Sequence, residues 1–515
     1  MKIKEGYKPV IGLEIHVQLL TKSKLFGVAA NNPEEKNPNV NIDEVATGEP
    51  GTLPVLNKEA VRLGVMLGLA LNCEIPEFSK FDRKHYFYPD LPKGYQISQY
   101  DEPIAQHGYV DVVIPANDEH ETYTKRVRIT RAHLEEDAGK NTHPEGLPYS
   151  LVDLNRAGCP LLEIVTEPDI ETAEEARIFL QELQRIVRYV GAGLADMEKG
   201  TMRCEPNISV RKPGEETLPK YKVEVKNINS FRFAEAAINY EIPRHIEMLE
   251  RGEMPKQVTM GWNEKTNSTV EQRSKEEAND YRYFPDPDIA PLHFTREFVE
   301  GLRNNLPELP AAKRIRFKEE FSLDDASIET LLNWKELNEY FENVVSEIDA
   351  WILTDNPHPA VGHPLPKGEG RGEGRAKLIK LAANWCLQDF SAMLNSNLAN
   401  PLESKVTAEN LAELVKLIDS GKISSSAAKQ VFKKMYETGG EPDTIVEELG
   451  LAQVSDEGAI EAAVDKVLSE NTKAVEDYKS GNERAFGSLV GNVMKAMQGK
   501  ANPGVVNELL KKKLQ

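Results

Sequence analysis

The sequence contains little cysteine and no long hydrophobic run. Its four cysteines are scattered through 515 residues without a close pair, which excludes a disulfide-bonded scaffold and is typical of a reducing compartment. No apolar stretch reaches the roughly 18 residues of a membrane-spanning helix. The first residues also lack the apolar core of a signal peptide. We therefore expect a cytoplasmic protein without a membrane partner.

Basic residues are also few relative to acidic ones. The chain has 63 lysines and arginines against 83 aspartates and glutamates, a formal net charge of −20. This argues against a protein that binds nucleic acid mainly by wrapping its phosphate backbone, although a local basic face remains compatible with an acidic protein. The hydrophobic content of 40% is ordinary for a globular protein, and the length allows two to four domains.

The pattern of the chain changes near residue 293. Before it, strand patterns and helical segments alternate, which indicates a mixed unit of strands and helices; after it, strand patterns vanish and helical ones continue. Residues 356–375 are rich in proline, glycine and charge, so this segment cannot form a core and is interpreted as a disordered insertion. A separate small helical domain is expected from about residue 405.

The stretch from residue 11 to residue 19 alternates strictly between apolar and polar side chains. Glu14, His16 and Gln18 occupy the polar positions, which predicts a half-buried strand. Residues two apart lie on one face about 7 Å from each other, so Glu14 and His16 stand side by side. A carboxylate with an imidazole suits a divalent cation held beside a phosphate. The alternative is a solvent-facing polar row on an antiparallel strand.

Four later segments also offer polar side chains on one face or within an apolar run. An isolated carboxylate in an apolar run indicates a bulge or a ligand, because an unpaired buried charge is costly. Acidic rows that face basic rows across a sheet are what a metal ion and nucleotide phosphates require. The polar residues of these segments are His133, Glu135, Glu136 and Asp137; Glu163; Arg203, Glu205, Asn207 and Ser209; and Lys222, Glu224 and Lys226.

Several long motifs are distributed along the chain. Two of them read Gly-Leu-Glu-Ile-His-Val-Gln from residue 12 and His-Leu-Glu-Glu-Asp-Ala-Gly-Lys from residue 133. The others lie at residues 80–90, 155–169, 224–231, 273–288 and 502–510. Together these motifs resemble those of the GatB family, the B subunits of aspartyl/glutamyl-tRNA amidotransferases, and the resemblance covers nearly the whole chain.

The resemblance implies an α+β fold in three parts. Residues 1–293 would form a cradle domain, built on a largely antiparallel sheet related to that of glutamine synthetase. Residues 294–404 would form an all-helical domain that contains the insertion. Residues 405–515 would form a YqeY-like tail that helps to bind tRNA.

The resemblance also implies an activity and partners. The family acts in a heterotrimer with an amidase, which releases ammonia from glutamine, and with a small third protein; these are the GatA and GatC proteins. The GatB protein uses ATP and Mg²⁺ to phosphorylate the side-chain carboxylate of mischarged Glu-tRNA(Gln) or Asp-tRNA(Asn), and ammonia then displaces the phosphate. Which of the two tRNAs is the substrate stays open. A non-catalytic tRNA-binding scaffold and a ligase for a small molecule are the alternatives.

Family similarity assigns roles to particular residues. The metal would be held by Glu14, His16, Glu135 and Glu163, with Glu136 as the alternative to Glu135. The phosphate contacts would come from Lys84, Arg203 and Lys226, with Asn207 also at the nucleotide. The ammonia exit would be lined by Lys80, Asp82, Arg83 and Lys84.

Two departures from the family pattern affect these expectations. Many relatives carry four zinc-binding cysteines near the N-terminus, whereas Gly27, Ala29, Asp43 and Ala46 stand at those places here. We therefore expect no structural zinc. The usual Asp-Val of the family is Glu205-Pro206 here; the glutamate keeps the charge but reaches further, and Pro206 removes a strand donor.

Overall fold

The computed structural model describes residues 4–32, 34–144, 146–274, 280–353, 370–397, 399–452, 457–480, 482–497, 501 and 503–514. The chain divides into two compact units, residues 1–312 and 313–515. The domain boundaries expected near residues 293 and 404 stay predictions. No helix within the described ranges is long and apolar enough to cross a membrane.

All the strands that the structure describes lie in the first unit. They are β1 (Lys8–Gln18), β2 (Phe78–Ser79), β3 (Asp82–His85), β4 (Tyr95–Ser98), β5 (Ala105–Ile114), β6 (Tyr123–Glu136), β7 (Lys140–Thr142), β8 (Leu151–Asp153), β9 (Pro160–Thr166), β10 (Met202–Arg211), β11 (Val223–Lys226), β12 (Val258–Asn263), β13 (Ser268–Ser274), β14 (Phe284–Pro285) and β15 (Leu292–His293).

Helices occur throughout and are the only regular structure described after residue 293. They are α1 (Glu44–Thr47), α2 (Lys58–Ala70), α3 (Ala173–Val190), α4 (Phe231–Glu250), α5 (Arg296–Asn304), α6 (Pro310–Phe321), α7 (Asp325–Asn333), α8 (Lys335–Leu353), α9 (Gly370–Trp385), α10 (Ser391–Asn397), α11 (Ala408–Asp419), α12 (Ser425–Thr438), α13 (Pro442–Leu449), α14 (Glu457–Glu470), α15 (Thr472–Lys479), α16 (Glu483–Ala496) and α17 (Pro503–Leu514); a π-helix (Cys386–Phe390) and a 3₁₀-helix (Pro401–Glu403) add short turns.

An eight-stranded sheet organises the first unit. Its strand order is β13-β12-β11-β10-β1-β9-β6-β5, and every neighbouring pair is antiparallel except β11 with β12. The helices α2, α3 and α4 pack against strands of this sheet. A large antiparallel-rich sheet followed by helices confirms the expected α+β fold class. The relation to glutamine synthetase stays a prediction.

Strand β1 lies in the middle of the sheet and has the alternation that its sequence predicts. Leu13, Ile15 and Val17 are buried in the core, while Glu14 and His16 face the other way and are half-buried. Polar side chains on a central strand are costly to bury without partners, because the neighbouring strands limit their access to water.

A β-bulge at Thr130 changes which side chains of strand β6 point toward the core. Ile129 pairs with Thr166 and Arg131 pairs with Val165, so Thr130 is the extra residue. Before the bulge the core residues are at odd positions; after it they are Ala132 and Leu134. The bulge therefore turns Arg131 and the next odd-numbered residues away from the core and onto the polar face.

The second unit is mainly helical in the ranges that the structure describes. Within its last part, α14, α16 and α17 bury a common core that includes Ile460, Leu489 and Leu510. Residues 356–369 of the predicted insertion lie outside the described residues, and helix α9 begins at Gly370, inside the segment expected to be disordered. The Thr407 side chain caps α11 by accepting a hydrogen bond from the Asn410 N–H.

Candidate active site

The strand register aligns four polar residues across the sheet. His16 on β1 lies opposite Arg203 on β10 and opposite Glu163 on β9. Glu163 in turn lies opposite His133 on β6. Residues directly opposite each other on antiparallel strands have their side chains on the same face and close together, so this register forms a continuous row.

The centre of this row is a buried cluster of carboxylates and imidazoles. The Nε2 atom of His16 lies 3.3 Å from Glu135 Oε1 and 3.3 Å from Glu163 Oε2. The Nε2 atom of His133 lies 3.3 Å from the same Glu163 oxygen. Glu135, Glu163 and His133 are all buried, and Ser98 on β4 donates a 3.3 Å hydrogen bond to Glu135. The cluster thus holds two carboxylates and two imidazoles in direct contact with one another.

The electrostatics of the cluster follow from burial and close packing of charges. Burial and the nearby carboxylates of Glu163 and Glu205 raise the pKa of Glu14 to about 7. Burial alone would lower the pKa of His16, but its contacts with Glu135 and Glu163 outweigh burial and raise that pKa well above 6.5. These contacts favour the protonated form of His16, whose positive charge offsets part of the negative charge on this face.

A second polar row runs beside the first. Glu14 lies opposite Glu205 on β10, whose Oε2 atom is 2.8 Å from Lys226 Nζ on β11. Lys226 is also 4.0 Å from Glu224. The Oδ1 atom of Asn207 is buried and has no hydrogen-bond partner among the described residues. Lys226 and Asn207 therefore lie on the face where the sequence placed them, and the lysine is paired with the glutamate of the unusual Glu205-Pro206 pair.

Lys84 belongs to the surroundings of the cluster although it lies outside the large sheet. Its strand β3 pairs with β14 and β4, and its Nζ atom is 5.0 Å from the centre of the Tyr281 ring. Burial opposes the charge of Lys84, but Glu135 and Glu163 are close enough to raise its pKa above the usual value. The lysine is therefore a fixed positive charge near the two acids.

Glu136 occupies a different environment from Glu135. Neighbouring residues of a strand point to opposite faces, and Glu136 accepts a 2.6 Å hydrogen bond from Lys93 Nζ and a 2.9 Å hydrogen bond from the Ile97 N–H. Both members of the Lys93–Glu136 pair are nearly excluded from solvent. The geometry therefore brings Glu135 to the cluster and Glu136 to a structural ion pair.

Arg203 also has a carboxylate partner. Its Nη2 atom lies 2.8 Å from Asp137 Oδ2, and Arg156 Nε lies 3.2 Å from the same oxygen. Both arginines are thus positioned by Asp137 at the end of β6. Arg203 stands next to His16 in the row, which places positive charge beside the acidic cluster.

Two residues near the cluster received no role from the sequence. His133 contacts Glu163, and Arg131 precedes His133 by two positions on the same face of β6. The signal for both was their spacing of two and four residues from Glu135, because positions two apart share a face of a strand. In the structure Arg131, His133 and Glu135 follow the bulge and lie on the same face of β6.

The residues fit a hard divalent cation. One ligand atom from each of Glu14, His16 and Glu163 lies within 4.8 Å of the others, and the same is true of His133, Glu135 and Glu163. Carboxylate oxygens are the ligands that Mg²⁺ and Mn²⁺ prefer, and imidazole is compatible with them as an additional ligand. The fold and the site together define a class of protein, an α+β catalytic domain with a candidate divalent-cation centre on its sheet.

Comparison with known proteins identifies the family within this class. The family model described as the GatB/GatE catalytic domain matches residues 9–300, and one described as a GatB domain matches residues 373–514. This chain belongs to the GatB/GatE family. It resembles a protein from Persephonella marina that is named as the B subunit of aspartyl/glutamyl-tRNA(Asn/Gln) amidotransferase, with 48% identity over 509 residues that cover 99% of this chain and 100% of the relative.

Two further relatives carry the same name. The protein from Coxiella burnetii is 47% identical over 508 residues, which cover 99% of this chain and 100% of the relative. The protein from Carboxydothermus hydrogenoformans is 44% identical over 511 residues, which cover 99% of each chain. The similarity therefore extends through both compact units.

Proposed function

We propose that this chain is the kinase and transamidase component of a tRNA-dependent amidotransferase. The tRNA amidotransferase role follows from family membership along the full length. The observation that supports the chemical step is the buried contact of His16 with both Glu135 and Glu163, at a place where Glu14 and Lys84 also converge. A scaffold that only binds tRNA has no need of such a costly cluster.

The reaction has two steps. First, the γ-phosphoryl group of ATP passes to a side-chain carboxylate oxygen of the Glu or Asp attached to tRNA, and ADP leaves. Ammonia then attacks the acyl carbon, and phosphate leaves as the amide forms. The first step is needed because a carboxylate itself has no good leaving group.

The side chains suit the phosphoryl-transfer step. A bound Mg²⁺ ion supplies neutralisation of the phosphate charge, and Glu14, His16, Glu135 and Glu163 would hold it. Lys84 keeps its positive charge because of the neighbouring acids, so it can stabilise the transferred group throughout the reaction. Arg203 and Lys226 are already paired with Asp137 and Glu205, so contact with phosphate requires that they share or exchange these partners.

The remaining roles are also proposals. A partner amidase would supply ammonia, a small third protein would complete the complex, and the helical tail would bind the tRNA. We expect no zinc in the protein; all four cysteines are buried and free of disulfides. A cytoplasmic location follows from the substrate, since aminoacyl-tRNA is used where translation occurs.

The test is to replace His16 or Glu163 with alanine in the purified complex. We expect ATP-dependent phosphorylation of mischarged tRNA to stop, while tRNA binding and the basal hydrolysis of glutamine continue, because a lost metal ligand affects the transition state more than tRNA binding. His120→Ala, in the loop between β5 and β6, is the matched control.

Three outcomes separate the alternatives. Amidation at near wild-type rate in either variant would refute the assignment of the cluster to the chemical step. Loss of phosphorylation, tRNA binding and glutamine hydrolysis together would indicate a structural role for this face. A wild-type complex that binds tRNA but forms no ADP would indicate a non-catalytic scaffold.

A further inference from the structure

Arg131 differs from the other arginines of strand β6 because it has no partner within the described structure. Arg126 forms a paired contact with Asp111, with both nitrogen–oxygen distances at 2.7 Å. Arg128 binds Asp169 in the same two-pronged way, at 2.9 and 2.6 Å. Arg131 makes no ion pair with any residue that the structure describes, and its buried Nε atom has no hydrogen-bond partner.

The position of Arg131 is set by the bulge. Without the extra residue Thr130, Arg131 would continue the buried face that Val127 and Ile129 form. With it, Arg131 shares the polar face with His133, two residues further on, at a separation of about 7 Å along the strand. The register places Arg131 opposite Val165, which itself lies opposite Glu14.

An unpaired guanidinium at this place calls for a ligand. A buried N–H group without a partner costs stability, and such groups are rare in native proteins. Two other arginines also have a buried Nε atom without a partner, but each uses another nitrogen: Arg203 binds Asp137 and Arg211 binds the Glu216 carbonyl. Arg131 alone of these three has its whole donor fork available within the described structure.

The chemistry of the ligand follows from the neighbours. Arg131 makes no ion pair with the carboxylates of the cluster, all of which the structure describes, and its side chain is partly exposed, so its charge is available to an anion. The planar fork of an arginine matches a phosphate group with two parallel hydrogen bonds. An anion that reaches both a cation held by Glu14 and Glu163 and the guanidinium of Arg131 must present several oxygens, as a phosphate does.

We propose that Arg131 binds a phosphate group beside the acidic cluster. Its contact with the phosphate is two-pronged, like the contacts that Arg126 and Arg128 make with aspartates. This proposal rests on the proposed function, which brings two sources of phosphate to the site: the nucleotide and the 3′ end of the tRNA. The bulge at Thr130 is then the structural device that supplies this contact.

The test compares three variants of the full chain in its complex. Arg131→Gln removes the charge and the fork, Arg131→Lys keeps the charge only, and Arg128→Gln is the control from the same strand, whose partner Asp169 lies outside the cluster. The measurements are equilibrium binding of ATP with Mg²⁺, the KM values for ATP and for mischarged tRNA, and the melting temperature.

We expect Arg131→Gln to weaken ATP binding and raise the KM for ATP at least tenfold, Arg131→Lys to give an intermediate value, and Arg128→Gln to match wild type. A rise confined to the KM for tRNA would instead assign the phosphate to the tRNA end. If Arg131→Gln and Arg128→Gln give the same affinities and KM values for both substrates, the proposal is wrong.

The controls keep the result separate from folding and from the proposed function. Equal melting temperatures for Arg131→Gln and wild type exclude a folding defect. If Arg131→Gln is unstable, the decision rests on Arg131→Lys. A KM for ATP and a KM for mischarged tRNA that both match wild type in Arg131→Lys overturn the proposal. Binding of ATP is measured without turnover, so a wild-type complex that failed to amidate tRNA would contradict the proposed function and leave this measurement intact.

Discussion

Exchanging each of two adjacent glutamates for glutamine tests the active-site geometry most directly. Glu135 and Glu136 are neighbours in one motif, and the sequence alone left open which of them binds the metal. In the structure Glu135 contacts His16, whereas Glu136 is paired with Lys93 and the Ile97 N–H. The two substitutions make the same chemical change at adjacent positions, so any difference between them reports the environment.

The two substitutions should mainly affect different quantities, which are the stability of the fold for Glu136→Gln and activation by Mg²⁺ for Glu135→Gln. Removing one partner of a buried ion pair costs about 3–5 kcal/mol, so Glu136→Gln should lower the melting temperature of the first unit by roughly 6–10 °C. Glu135→Gln also removes one partner of a buried pair, the one with His16, but it relieves the repulsion between Glu135 and Glu163, so it should cost less stability than Glu136→Gln. Partners that merely orient a metal ligand already affect metal affinity about 10–100-fold, so the loss of a ligand at Glu135 should weaken Mg²⁺ activation at least as much.

The assay is a titration of Mg²⁺ in the ADP-forming reaction with mischarged tRNA, together with a thermal melt of each variant. Glu135→Gln should melt at a higher temperature than Glu136→Gln and need far more Mg²⁺ than wild type. Glu136→Gln should melt early and, at a temperature where it is folded, respond to Mg²⁺ like wild type. The reverse pattern would refute the placement of Glu135 in the cluster, and identical behaviour would show that the two positions do not differ in environment.

Three further predictions concern other parts of the chain. Deleting residues 405–515 should raise the KM for mischarged tRNA and reduce its dependence on salt; unchanged tRNA affinity would contradict a tRNA-binding tail. Excising residues 358–369 should leave activity close to wild type because the segment has few apolar side chains to bury; a large loss of soluble protein would contradict this. Burial would raise the pKa of Glu241, but contacts with His245, Arg244 and Thr269 lower it to about 2, so this group stabilises the fold by about 3 kcal/mol above pH 4.5 and loses that contribution as the pH falls toward 2. Glu241→Gln should therefore melt below wild type at pH 7, and the difference should shrink in acid; a constant difference would contradict the shift.

The local features of the fold could be predicted because they depend on neighbours in the sequence. The alternation around Glu14 and His16 predicted one strand with one polar face, and the structure has it. Thr172 and Gly191 bound helix α3 as its N-cap and left-handed C-cap, which are local signals of the same kind.

The contacts between strands could not be predicted from patterns alone. Glu163 lies opposite His16 because β9 pairs with β1, and 147 positions in the sequence separate the two residues. Lys84 comes near the cluster through a separate small sheet. These placements depend on the pairing of distant segments, so family resemblance supplied them where composition and periodicity could not.

The bulge lies between these two cases, because its trace is local while its effect is not. The buried apolar residues of β6 stand at Val127 and Ile129 and then at Ala132 and Leu134, so one interval is three residues where a regular strand has two. A pattern that shifts phase within a single strand indicates an extra residue, and the polar residues that follow must change face with it. Read in this way, the sequence itself separates Glu135 from Glu136: Leu134 is buried in the core, so Glu135 faces away from the core, and Glu136 shares the facing of Leu134. The same shift carries Arg131 to the polar face, where its unpaired guanidinium is best explained by an anion from outside the chain.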